Sequence, residues 1–189
     1  SDEELRLLLD LPIILILDEA YIEFAGLDKS YIDLVTEYAN LIVIRTFSKW
    51  AGLAGLRVGY GAFPIDILQE LWKIKQPYNV SVAATAASLV SLKDKTSLLD
   101  TVALIVSERE RLYNLLSKTE CLEPYRSSGN FVLCRVHNIS ALDLLQELRS
   151  YGILVRYFDT PRLKNHIRIS IGKTEHTDLL TTVLSNIDE

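Results

Sequence analysis

Three short stretches of this chain carry residue types that do chemistry together. Asp18-Glu19-Ala20-Tyr21 closes an apolar run. An Asp at the carboxyl end of a strand can be a metal ligand, a general base or the partner of a positively charged ring nitrogen, and it can also simply cap a helix. Lys49 follows Thr46 and Ser48 at the end of a second apolar run. A lysine at the mouth of a buried sheet, beside hydroxyls, is placed to lose its proton and act as an amine nucleophile. The plain alternative is a strand-end lysine whose head reaches solvent. Gly52-Leu53-Ala54-Gly55-Leu56-Arg57 comes next. Its glycines allow close backbone approach, and the planar fork of Arg57 suits a phosphate that Thr46 and Ser48 could also hold. Alone, that glycine pair is only a turn.

Taken together the three stretches form a full set for pyridoxal phosphate. The ring nitrogen needs a carboxylate, the aldehyde a lysine, the phenolic oxygen a donor, and the phosphate an Arg with hydroxyls. The elements that must position them alternate between strand and helix, the pattern of an α/β architecture. Ile13 to Leu17 reads as a strand buried on both faces, as do Leu41 to Ile44, and Arg57 to Phe63 reads as a third strand. Helices are expected over Glu3 to Leu9, Asp66 to Lys75, Val82 to Leu92 and Lys95 to Leu116. Glu108-Arg109-Glu110-Arg111 reads as a solvated end of the last of these. Further on come strands at Asn130 to Val136, Ile153 to Tyr157 and Ile167 to Ile171, with helices at Ala141 to Tyr151 and Thr174 to Ile187. The pattern predicts a partial cofactor-binding large domain over residues 1–98 and a small α+β domain over residues 99–189. A buried parallel strand needs neighbours on both sides, so the first sheet is expected to be incomplete.

Composition narrows the class. A 49% hydrophobic content, 24% charge and a mean hydropathy of +0.17 describe a globular chain. The net charge of −5 and pI near 5.3 argue against a nucleic-acid partner. The run Leu11 to Leu17 is far short of the roughly 20 residues that span a bilayer, so no membrane partner is expected. Acidic residues at positions 2–4 stand where a signal peptide would be basic. Cys121 and Cys134 are too few for a disulfide scaffold, which points to a cytoplasmic location. His137, His166 and His176 lack metal spacing, so no metal site is expected. With no Met anywhere, the chain is expected to begin downstream of its gene's start.

The stretches 17–24, 45–49 and 52–60 closely resemble the histidinol-phosphate aminotransferases, members of the fold type I pyridoxal-phosphate enzymes. The resemblance runs through the whole chain but matches only the carboxyl-terminal half of the family. The family's preceding half supplies a glycine-containing phosphate loop, an aromatic residue over the ring and an Asn, which have no counterpart here. The resemblance implies that Lys49 bonds the cofactor's aldehyde and Asp18 partners the ring nitrogen. It implies further that Tyr21 contacts the phenolic oxygen, while Thr46, Ser48 and Arg57 hold the phosphate. Trp50 departs from the small residue the family often has there.

In the second domain the family's two arginine strands match Gly152 to Arg156 and His166 to Gly172. The resemblance gives Arg168 the substrate's carboxylate or phosphate and Arg156 the part of a nearby anionic clamp, with Asn130 as a further substrate residue. The implied reaction is amino transfer between glutamate and a phosphorylated imidazole keto compound, by a homodimer acting on small molecules. Two alternatives stand beside it. One is a threonine-phosphate decarboxylase or other fold type I enzyme, and the other is a stable fragment without activity.

Overall fold

The computed structural model describes residues 2–188, with side chains described for residues 2–187. The chain divides into two units, Ser1–Leu99 and Asp100–Glu189.

The first unit opens with helix α1 (Asp2–Leu9), whose acidic first turn complements the helix dipole and whose Leu5 and Leu9, one turn apart, are buried. Strand β1 (Leu15–Asp18) follows, then a single turn of helix, α2 (Ile22–Ala25), and strand β2 (Leu41–Thr46). β2 runs parallel to β1, with Leu15 beside Leu41 and Asp18 beside Ile44. β3 (Gly59–Ala62) pairs antiparallel with β2. The connection, residues 47–58, holds only a three-residue 3-10 turn (Ala54–Leu56) and no α-helix of the kind that carries a parallel crossover. Gly59 is required here, because a Cβ would sit 2.6 Å from the Arg45 carbonyl oxygen.

β1 corrects the expectation of a strand buried on both faces. Among the described residues it pairs with β2 alone, and Ile14 and Ile16 are 60% and 58% exposed. Leu15 and Leu17 lean instead on a core of Leu5, Leu9, Val35, Leu41 and Val43. Helices α3 (Ile65–Ile74) and α4 (Val82–Lys93) complete the unit. α3 has the expected apolar spacing yet buries no residue, with Trp72 and Ile74 open. α4 is capped by Ser81 Oγ, which accepts from Ala84 N at 3.1 Å, and buries the small side chains Ala84, Ser88 and Ser91.

Helix α5 (Lys95–Leu116) spans the division between units. The second unit adds β4 (Leu122–Pro124), β5 (Phe131–Val136), α6 (Ala141–Ser150), β6 (Arg156–Tyr157), β7 (His166–Ser170) and α7 (Thr174–Asp188). Its sheet is antiparallel in the order β4-β5-β7-β6. One apolar face, with Val132, Cys134, Ile167 and Ile169, packs on Leu112, Leu144, Leu148 and Leu184. β4 has no expectation behind it. The strand expected over 153–157 shrinks to two residues because Gly152, at φ 76°, ends α6 and turns Ile153 N back to Leu148 O at 2.9 Å. Both cysteines are buried and neither forms a disulfide, and burial pushes the Cys134 thiol up to about 12, which keeps it protonated and unreactive.

The charged end of α5 is not simply solvated. Arg109 is 8% exposed and donates from Nη1 to the Gly129 carbonyl at 2.9 Å, while Arg111 pairs with Glu108 and Asp178. A run of charges on a helix does not reveal which of its sides meets the sheet.

Candidate active site

The parallel strands β1 and β2 end side by side, which brings the chemistry-bearing residues of the first unit to one sheet edge. Asp18 is exposed, and its Oδ1 accepts from Ala20 N at 3.0 Å. It is no helix cap, because α2 begins later and its cap position, Tyr21, makes no side-chain cap bond. Tyr21 is half-buried, and the amine of Lys49 lies 5.4 Å from the centre of its ring. The two residues come from different strand ends, so the fold joins what the sequence separates.

Thr46 Oγ1 donates to Ser48 Oγ at 2.9 Å and accepts from Ser48 N at 3.0 Å. Thr46 Oγ1 also lies 3.4 Å from the Val58 carbonyl oxygen, so the two hydroxyls share one small network at the end of β2. Arg57 stands in the left-handed region at φ 53°, a conformation costing about 1 kcal/mol or more for a residue with a side chain. Its Nη1 is turned onto the Ala54 carbonyl at 2.9 Å, leaving its other donors open. Next to it, Val58 O accepts from Phe47 N at 3.2 Å, which ties the glycine loop to the end of β2. A pair of neighbouring hydroxyls, a guanidinium with open donors, an exposed amine and an exposed carboxylate match the polar ends of pyridoxal phosphate.

A buried ion pair supports this edge, and the sequence offered no sign of it. Glu19, 8% exposed, follows Asp18, and Arg45 precedes Thr46. Arg45 Nε and Nη2 each lie 3.0 Å from Glu19 Oε2, and Glu19 Oε1 accepts from Tyr31 N at 2.8 Å. Ser30 Oγ bonds to both partners. Glu23 lies in the field of the same pair, and burial raises its carboxyl above the ordinary range. Removing one partner of a buried pair leaves a stranded charge, costing about 3–5 kcal/mol. Glu19→Gln is therefore expected to lower the urea unfolding midpoint sharply, and a midpoint equal to the parent's would show that the pair is idle.

In the second unit, Arg156 and Arg168 are direct partners across β6 and β7. Like charges so placed repel by about 0.2–1 kcal/mol, so sheet stability does not explain them. The guanidinium of Arg168 lies 5.0 Å from the ring centre of Phe131 and 5.7 Å from that of Phe158, and its Nε is buried without a hydrogen-bond partner among the described residues. Arg156 is exposed beside Phe158. Asn130 precedes β5, and its carbonyl accepts from Ile171 N at 3.0 Å. Among the described residues no group of His, Cys, Asp or Glu could hold a metal ion, and no helix is long and apolar enough to cross a membrane.

Comparison with known proteins gives these geometries a family. The chain is 50% identical over 187 residues to the chloroplastic histidinol-phosphate aminotransferase of Nicotiana tabacum, covering 98% of this chain and 45% of that one. The histidinol-phosphate aminotransferase of Clostridium acetobutylicum superposes with a TM-score of 0.90 at 26% identity, over all of this chain and 59% of its own. That of Sinorhizobium meliloti, solved in complex with pyridoxal-5'-phosphate, gives 0.85 at 30% identity, over all of this chain and 53% of its own. The chain spans about half the length of the curated relatives it matches. The model of the family "Aminotransferase class I and II" matches residues 2–184, and the chain belongs to that family.

Proposed function

We propose that the enzyme containing this chain transfers an amino group between histidinol phosphate and 2-oxoglutarate, giving imidazole acetol phosphate and glutamate, as a pyridoxal-phosphate-dependent homodimer in the cytoplasm. The observation that carries the reading is the strand-end cluster itself, with Lys49 Nζ 5.4 Å from the Tyr21 ring and Asp18 at the neighbouring strand end. Relatives 50% identical and named for that reaction support the choice of substrate.

Bound pyridoxal phosphate supplies an electron-withdrawing ring that lets the substrate's α-carbon give up a proton. Asp18 holds the proton on the ring nitrogen with its carboxylate. Lys49 would hold the cofactor at its aldehyde through Nζ, and the same amine would move a proton to and from the substrate's α-carbon. Tyr21 donates its hydroxyl to the phenolic oxygen. Thr46 and Ser48 offer hydroxyls to the phosphate, and Arg57 offers its fork. Arg168, with its cross-strand partner Arg156, would receive the anionic end of the substrate, and Asn130 would be a further substrate residue.

Borohydride reduction of the cofactor-loaded, full-length enzyme, followed by peptide mapping, is expected to leave the label on Lys49. Label on Lys73 or Lys75 would overturn the assignment. Incubating the same enzyme with amino-acid phosphates and measuring released carbon dioxide separates the decarboxylase alternative, for which gas would appear and glutamate would not.

A further inference from the structure

We infer that the second unit carries a binding site for a phosphate monoester dianion, set between the end of β5, the start of β7 and the turns that precede it. Those turns are closed by backbone bonds: Thr160 N to Phe158 O at 2.9 Å, Leu163 N to Thr160 O at 3.0 Å, and His166 N to Leu163 O at 2.9 Å. Val136 N donates to Asn165 O at 2.8 Å and fastens the turns to the end of β5. Between them lies a pocket of about 200 Å³, lined by Tyr125, Arg135, Arg162, Lys164, Asn165 and His166, with Pro161 at its wall.

Charge makes the pocket selective for an anion. The lining holds three fixed cations and no carboxylate. Arg135, Arg162 and Lys164 make no ion pair among the described residues. Glu123, which strand register places beside Arg135, already faces His137 Nε2 at 3.0 Å. Three unpaired cations around one concavity repel one another, and a doubly charged anion relieves all three contacts at once. Two planar forks and an ammonium match a phosphoryl group, with its three outward oxygens, better than a planar carboxylate.

Size and wall chemistry narrow the ligand further. Pockets for drug-sized ligands run from about 300 to 1,000 Å³, so this one accepts a phosphoryl group and a few attached atoms. Tyr125 and His166 stack with ring centres 5.8 Å apart and planes at 22°, and the Tyr125 hydroxyl lies 3.4 Å from His166 Nε2. This flat aromatic wall suits a small ring borne by the ester. The lining contains neither Arg156 nor Arg168.

Titration of the cofactor-loaded, full-length enzyme with phenyl phosphate tests the site, using calorimetry at an ionic strength fixed with chloride and inorganic phosphate as a second probe. Phenyl phosphate is expected to bind more tightly than inorganic phosphate. Arg168→Gln, which removes the arginine proposed for the substrate's anion, is expected to leave one class of phenyl phosphate binding in place, and adding Arg135→Gln/Arg162→Gln to it is expected to weaken that binding at least tenfold. Binding that survives the double variant in the Arg168→Gln background, that disappears entirely with Arg168→Gln alone, or that is displaced equally by added chloride would overturn the proposal. Because the readout is binding and not turnover, the reading of the reaction stands or falls separately.

Discussion

Asp18→Asn is expected to retain pyridoxal phosphate while losing turnover by about 10²–10³-fold, the scale seen when one preorganised charge-stabilising group is removed from an active site. The cofactor's phosphate would still find Thr46, Ser48 and Arg57, so retention follows from residues the substitution does not touch. The loss follows from the amide's neutrality. A carboxylate favours the protonated ring nitrogen, and an amide does not. Local structure should survive, because the Asn side-chain oxygen can still accept from Ala20 N as Asp18 Oδ1 does at 3.0 Å. The measurement is single-turnover kinetics on the full-length enzyme, together with the absorbance of bound cofactor. Turnover at the parent rate would reduce Asp18 to a turn residue.

The strand-end chemistry was legible because apolar runs stop abruptly at polar residues. Leu17 gives way to Asp18, and Ile44 to Arg45 and Thr46, so the sequence alone marks the end of each strand. The glycines before Arg57 mark only a turn, with Gly52 at φ 67° and open space around both Gly52 and Gly55, whereas the close return falls on Gly59, against the Arg45 carbonyl. The Glu19–Arg45 pair was not legible. Its members are 26 residues apart, and only the parallel register of β1 and β2 brings them together. Arg109 failed for the opposite reason, since a local charge pattern suggested solvent while Gly129, at a distance in sequence, supplied a buried acceptor. The anion pocket hides in the same way, drawing Tyr125, Arg135 and Arg162 from three separate segments.

Arg168→Ala is expected to raise KM for both substrates of the reaction by about a hundredfold or more, with bound cofactor near normal. Each substrate presents an anion, and a guanidinium fork meets it with two charge-assisted bonds worth about 1.5–3 kcal/mol each. The same substitution should change stability little, because two small effects oppose one another. It removes the ring contacts with Phe131 and Phe158, worth about 0.5–1 kcal/mol each, and it also removes the repulsion from Arg156 across the strands. A large kinetic effect with an unshifted melting temperature therefore separates a binding arginine from a structural one. Arg168→Lys should recover little, since an ammonium cannot reproduce the planar fork, although it keeps the charge. Kinetics of both half-reactions on the full-length enzyme decide the matter. A defect confined to one substrate would pass that role to Arg156, its cross-strand partner. No defect in either would leave the unpartnered Nε of Arg168 without a ligand to explain it.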